Sequence, residues 1–202
     1  MAIINNQPSI VAGHDINYEP LAPEHFTGVI TLGNFVHGDN YLTDALIADY
    51  YAKSFLGDVN ASWVALNQER VVGFRLTFAH NQWRTDEWCS PSLWPDFIEN
   101  VCYFKCNTVD PAMQSKGIGS KLLHKSIECA KAQGANAGLA HIWLASPGNS
   151  AFKYFTKNGG QLIKKHPNKW RYASIHEGYD CPVCEGYCEC EGAEMLLQFQ
   201  AP

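Results

Sequence analysis

The 202-residue sequence contains no run approaching about 18 consecutive apolar residues, so it lacks the pattern of a membrane-crossing helix. Residues 1–13 carry no basic segment followed by an apolar stretch, and do not read as a secretory signal. Lysine and arginine number 15 against 20 acidic residues, and a net charge of −5 without a basic stripe argues against a nucleic-acid partner. The expectation is a soluble cytoplasmic protein with neither a nucleic acid nor a membrane as partner. Charged residues make up only 17% of the chain and hydrophobic residues 46%, which suits one globular domain with a substantial core. Two nucleotide signatures are also missing. There is no Gly-x-x-x-x-Gly-Lys-Ser/Thr loop, and no Gly-x-Gly-x-x-Gly followed by an acidic residue on a next strand.

A different glycine turn is present between Val109 and Leu123, where a strand end passes through Gln114-Ser115-Lys116-Gly117-Ile118-Gly119-Ser120 into an amphipathic helix. Two glycines one residue apart let backbone amides approach an anion closely. The first turn of a new helix adds free N–H groups and the positive end of a dipole. That points to a phosphate-bearing ligand.

Along the chain, Ile16–Leu21 alternates like a strand, and Pro23 opens a helix with Phe26, Val29, Ile30, Leu32 and Phe35 on one face. Thr43 is placed to cap a second helix to Phe55. A hairpin follows over Ser62–Leu66 and Val71–Phe78, then a strand over Val101–Val109. The next helix spans Ile118 to about Gln133, with Leu122, Leu123, Ile127, Ala130 and Lys131 on its inner side. Ala140–Leu144 reads as a strand parallel to Val101–Val109, because a helix separates the two. A helix after Asn149, a strand over Gln161–Lys164 and a last strand over Glu194–Phe199 complete the order.

This order, together with Gln114-x-x-Gly117-x-Gly119, resembles the GNAT family of N-acetyltransferases, in which the glycine turn holds the pyrophosphate of acetyl-CoA. The resemblance covers Ile16 to Phe199. It implies a single α/β domain, 14–202, with a mixed central sheet whose two parallel strands splay apart, flanked by helices. It also implies acetyl-CoA as co-substrate and a primary amine as acceptor. By the same resemblance Asn107, Thr108 and Val109 lie nearest the thioester, and Gln114, Ser115, Lys116, Gly117, Ile118, Gly119 and Ser120 take the pyrophosphate. Asn149 either reaches the pantetheine arm or caps its helix, and Phe152 packs on that arm or on the core.

The family's thiolate acid, a tyrosine in Tyr-x-Lys-x-Gly, is matched here by Phe155, with Tyr154 one residue and so about 100° away. Tyr154 or water serves as acid, or there is no dedicated acid. Where histone-type members carry a glutamate base, this sequence has Tyr103, and Glu99 is the nearest carboxylate. His37, Asp39 and Tyr41 fall where the family builds its acceptor pocket, and the histidine suits a base. Direct attack by the amine is expected, since no cysteine or serine sits recognisably beside a histidine at the wedge. Tyr103 and the aromatic loop described next favour a small-molecule amine over a protein lysine.

Two segments exceed the family's minimum. The connection 80–100 contains Trp83, Trp88 and Trp94, too much apolar area for a disordered loop. It reads as an acceptor-pocket wall, a satellite core or the surface of a homodimer. In the stretch 176–192, Cys181, Cys184, Cys188 and Cys190 have metal-ligand spacing, and four thiolates close a tetrahedral Zn²⁺ site. His176 or His166 could replace one of the four, and free or redox-active thiols or another metal are the alternatives. The rival to an enzyme is a non-catalytic acyl-CoA-binding or metal- or redox-sensing module.

Overall fold

The computed structural model describes residues 16–95 and 99–199. The expected domain bounds at 14 and 202, and residues 96–98 of the aromatic loop, lie outside them. Nine strands are formed among the described residues: β1 Ile16–Pro20, β2 Phe55–Leu56, β3 Val59–Asn60, β4 Trp63–Asn67, β5 Arg70–Phe78, β6 Val101–Val109, β7 Ala137–Trp143, β8 Gln161–His166 and β9 Gly192–Gln198. Five helices accompany them: α1 Phe26–His37, α2 Asp44–Lys53, α3 Ile118–Ala132, α4 Ser150–Lys157 and α5 Arg171–His176. Seven strands form one sheet in the order β1-β4-β5-β6-β7-β9-β8, and β2 and β3 pair as a separate small ribbon. Within the sheet, β6 and β7 are parallel; the other pairings are antiparallel.

Helices cover both faces. Leu32 and Val29 of α1 and Ile47 of α2 bury against Leu66, Phe74, Leu76 and Cys106. On the other face, Leu123 and Ala130 of α3 and Phe155 of α4 pack on Cys102, Phe104, Ala140 and Met195. A central strand covered on both sides must be apolar throughout, which is why β5 is buried from Val71 to Phe78. No described helix is long and apolar enough to cross a membrane.

Several expected boundaries move. Phe35 is 73% exposed, and Val36, four residues from Leu32, takes the inward position in its place. Lys131 is exposed at the end of α3, and Ser126 occupies the buried stripe. β7 starts at Ala137, three residues before the expected Ala140. Its small residues allow that extension: a Cβ on Gly138 would come within 2.2 Å of the Phe104 ring, so only glycine admits the ring there. The last strand begins at Gly192 and slots between β7 and β8.

Candidate active site

β6 and β7 pair only over Val101–Tyr103 and Ala137–Leu139. Beyond that point β6 continues with β5 and β7 with β9, so residues 104–109 and 140–143 face each other across a gap. The gap is part of a cleft of about 1580 Å³. A bulge in the β5–β6 ladder, between Leu76 and Thr77 opposite Lys105, shifts the pleat at the mouth of this gap. Phe104 therefore faces α3 and α4, while Cys106 faces α1 and α2.

One end of the cleft is built from main chain. After β6 the Asp110 side chain accepts a hydrogen bond from the Ala112 amide and starts a short 3-10 turn. The chain then passes through Ser115 at φ +62° and Gly117 at φ +80° into α3. Gly117 is the N-cap of α3 without a side-chain cap, so the amides of the first helical turn have no side-chain acceptor there and form a place where an anion can bind. Gln114, Ser115, Gly117, Ile118, Gly119 and Ser120 line the cleft, as do Asn107, Thr108 and Val109. The Lys116 ammonium rests 3.4 Å from the Met113 sulfur.

Beside this turn, the Tyr154 hydroxyl donates to the Gly119 carbonyl at 2.8 Å and accepts from Arg75 Nη1 at 3.3 Å. Burial pushes the Tyr154 hydroxyl up despite the Arg75 charge, so it stays protonated at neutral pH. Sequence reasoning misses Arg75. It is 1% exposed, its guanidinium lies 4.2 Å above the Phe104 ring, and its Nε has no hydrogen-bond partner among the described residues. The one signal for it is a single charge inside the apolar run Val71–Phe78. Asn107, paired with Arg75 across the ladder, leaves its side-chain oxygen buried and unpaired among the described residues, and so does Asn149. Asn149 stands at the N-cap of α4 in a left-handed conformation without capping it; the Ser146 hydroxyl instead accepts from the Ala151 amide at 3.2 Å. Phe152 packs against the core formed by Phe104 and Phe155 and does not line the cleft.

The opposite end is built from side chains. His37, at the end of α1, places Nε2 2.8 Å from the Thr108 hydroxyl on β6. Its ring lies 4.4 Å from that of Tyr41 and 6.4 Å from that of Trp143. Burial holds the His37 pKa down at about 4, so the ring is neutral over the physiological range. Cys106 lies 3.2 Å from the Thr108 hydroxyl and 3.9 Å from His37 Nε2, a cysteine beside a histidine that the sequence did not reveal. Burial raises its thiol pKa, which disfavours the thiolate nucleophile. Asp39 is exposed and off the cleft. Glu99 is exposed before β6, ten residues from Val109 and so roughly 30 Å away along an extended strand.

Tyr103 points to the same face, its hydroxyl 3.0 Å from His141 Nδ1, and burial raises its pKa well beyond the range of a base. His141 Nε2 lies 2.7 Å from the Trp88 carbonyl oxygen; burial and Lys169 hold its pKa down at about 4. Trp83 and Trp88 line the cleft. The loop that carries them is tied to the sheet: Trp83 Nε1 donates to the Val101 carbonyl at 2.7 Å, and the buried Glu194 accepts from the Ser90 amide at 2.8 Å and from Trp94 Nε1 at 2.9 Å. His166 Nε2 reaches the other Glu194 oxygen at 3.2 Å. Residues 80–95 thus form a wall packed on β6, β7 and β9.

The cysteines of the connection after α5 converge. The sulfurs of Cys181, Cys184, Cys188 and Cys190 all lie within 4.8 Å of one another, with 3.8 Å between Cys181 and Cys190 and 3.5 Å between Cys184 and Cys190. Those spacings are too long for a disulfide bond of about 2.05 Å. Trp143, Ala145, Trp170 and Tyr179 pack around the group.

A mixed sheet opened at its one parallel pair, with an anion-binding helix start on one lip, defines an enzyme that handles a phosphate-bearing donor inside the split. The family model of the acetyltransferase (GNAT) family matches residues 31–159, and the chain belongs to this family; it is an acetyl-CoA-dependent N-acetyltransferase. Among solved structures it is similar to Ard1 from Thermoplasma volcanium, with a TM-score of 0.65 and 14% identity over 92% of this chain and 99% of that one. It is similar to a GNAT family acetyltransferase from Streptococcus pneumoniae, at 0.64 and 14% over 92% and 100%. It also resembles a GNAT family acetyltransferase from Elizabethkingia anophelis with acetyl-CoA bound, at 0.57 and 17% over 91% and 98%. At these identities the likeness is one of fold. No curated protein sequence matches the chain.

Proposed function

We propose that this acetyltransferase transfers acetyl from acetyl-CoA to a primary amine of a small molecule by direct attack. The observation that carries the reading is the split itself, in which main-chain anion donors at one end face a neutral His37 in contact with Thr108 at the other. The pyrophosphate takes the amides of residues 115–120, and the unpaired oxygen of Asn107 is an acceptor for a pantetheine N–H group; Asn149 is not among the residues that line the cleft. The amine nitrogen forms its bond to the carbonyl carbon, and the carbon–sulfur bond breaks. The nitrogen gives one proton to His37, through the Thr108 hydroxyl, and the departing thiolate gains one from Tyr154; the imidazolium, with its low pKa, then gives its proton to water and the tyrosinate takes one from water, which restores both groups and balances the turnover. The aromatic lining, from Tyr41 and Trp143, keeps the attacking amine uncharged, since a desolvated ammonium is penalised. The tethered loop 80–95 adds Trp83 and Trp88 to the cleft wall, which favours a small molecule over a folded protein's lysine.

Mass-spectrometric detection of free CoA from purified protein, acetyl-CoA and a panel of polyamines, amino acids, aminoglycosides and lysine peptides tests this. Release with a small amine supports it. Release only with peptides overturns the acceptor class, and acetyl-CoA binding with no release across the panel favours a binding module.

The same reading includes one structural Zn²⁺ held by Cys181, Cys184, Cys188 and Cys190. A tetrahedral centre with zinc–sulfur bonds near 2.3 Å has sulfur–sulfur edges of about 3.8 Å; the Cys181–Cys190 approach equals that edge, Cys184–Cys190 is 3.5 Å, and all four sulfurs lie within 4.8 Å of one another. Four thiolates leave no open position, so the metal takes no part in the transfer. A reducing cytoplasm is the compartment in which eight free cysteines persist, and it is the location this reading favours.

A further inference from the structure

We infer that the four-cysteine centre clamps the acceptor end of the cleft, so that metal occupancy sets the order of the His37 turn while leaving the acetyl-CoA loop untouched. The inference rests on the zinc reading above. Three contacts connect the centre to the turn after α1. A Cβ on Gly38, which sits at φ +101°, would fall 2.0 Å from the Asp180 carbonyl oxygen and 3.3 Å from Pro182 Cδ, so the backbone of the turn lies directly on the segment that leads into Cys181. Asn40 Nδ2 donates to the Gly178 carbonyl at 3.4 Å. Trp143 packs on the cysteine group and presents its ring to His37 at 6.4 Å.

Pro182 and Val183, inside the chelate loop, also line the cleft. The wall is therefore made of the same residues that the metal would order. Between α5 and β9 the chain has no helix or strand and is held by scattered contacts, such as the Cys188 amide to the Ser174 hydroxyl at 3.0 Å and Arg171 to Glu189 at 2.7 Å; a bound ion would close three short loops at once and remove the freedom that remains. The donor end is supported separately. α3 and β6, which carry the anion loop, contribute no residue to the group packed around the cysteines. Loss of the metal should therefore be felt on one side of the split only.

The test uses the full chain, purified under reducing conditions with Zn²⁺, and compares it before and after removal of the ion by a chelator. Metal content is read by elemental mass spectrometry, amide hydrogen exchange by mass spectrometry, and acetyl-CoA affinity by calorimetry. The expected result is one zinc per chain, at least tenfold faster exchange in residues 37–41 after removal, and unchanged exchange in 114–120 with an acetyl-CoA Kd within twofold. A second variant, Gly38→Ala, forces the turn off Asp180 without touching a ligand; it should keep one zinc yet show the faster exchange in 37–41. Zinc bound but exchange in 37–41 unaffected by its removal overturns the clamp and leaves the zinc reading standing. No zinc, even after anaerobic addition of the ion, overturns both. Loss of acetyl-CoA binding together with the metal shows a staple for the whole fold and also overturns the clamp.

Discussion

At the proposed donor end of the cleft, the groups available to a ligand are main-chain amides over residues 114–120, a single loop into α3. At the acceptor end they are side chains gathered from far apart: His37 meets Thr108 across 71 residues and Tyr103 meets His141 across 38, behind which the buried Glu194 holds the Ser90 amide across 104. An amide cradle depends on backbone angles and tolerates many side chains. A side-chain pocket depends on the sheet having formed and on buried polar groups being partnered. The acceptor end should accordingly respond to pH and to single truncations much more strongly than the donor end.

The largest effect expected is acid destabilisation that originates at the acceptor end. His37 and His141 have pKa values held down at about 4, below the unfolded value near 6.5, so the unfolded chain takes up protons first as pH falls. Their stabilisation is complete above pH 6.5 and is lost toward pH 4, by on the order of 3 kcal/mol per ring. For Glu194, burial pushes the pKa up, but the Ser90 amide, the Trp94 indole and His166 outweigh it and hold the carboxyl below its usual value. Its stabilisation is present above about pH 4.5 and is lost below that. Urea midpoints measured from pH 8 to pH 4 should fall mainly below pH 6.5, and His141→Gln should flatten the curve. A flat profile in the parent protein would contradict the buried neutral rings.

Next in size is Glu194→Ala. Removing the carboxylate leaves the Trp94 and Ser90 donors without their acceptor in a site with no exposure, and about 3 kcal/mol of stability should go with it. Denaturant unfolding reads that loss directly. Glu194→Gln retains one acceptor and should recover part of it. If both variants unfold at the parent midpoint, the loop 80–95 is not held by this carboxylate.

His37→Asn comes third, with roughly a hundredfold fall in kcat at an acetyl-CoA affinity that does not change. Because the ring is neutral above about pH 5, the acid limb it contributes to kcat/KM belongs near 4. A limb near 6.5 that vanishes in the variant would mean that His37 titrates as a solvated histidine and that the burial argument fails.

The same contrast explains what is legible before folding. Gly117 and Gly119 before an amphipathic helix, and a parallel strand pair implied by the intervening α3, are local patterns with a physical cause, and they locate the donor end. The four cysteines are equally legible, being within ten residues. Arg75 and Cys106 are not, because their roles come from the neighbours that β5 and β6 acquire in the sheet. Periodicity places Phe35 and Lys131 inward, yet near each helix end the phase of the buried stripe differs, with Val36 rather than Phe35 on the core of α1 and Lys131 exposed. Asp39 and Glu99 have the right chemistry at places the cleft does not reach.

The smallest effect is expected at the donor end and serves as the control on the comparison. Gly117 sits at φ +80°, and a Cβ added there would meet nothing within 4 Å, so Gly117→Ala causes no clash and costs only the strain of the left-handed angle. That strain is about 1 kcal/mol; where the unliganded loop relaxes to relieve it and binding restores the angle, it should appear as an acetyl-CoA Kd raised at most about fivefold by calorimetry, with unfolding in acid unchanged. Gly119 differs, since a Cβ there would lie 3.3 Å from Asn107 Nδ2 and 3.5 Å from the Tyr154 ring, inside the contact that closes the turn on α4. Gly119→Ala should therefore weaken acetyl-CoA binding through side-chain displacement. If Gly117→Ala instead abolished binding while Gly119→Ala were silent, the anion would be held by side chains after all, and the distinction between the two ends of the cleft would collapse.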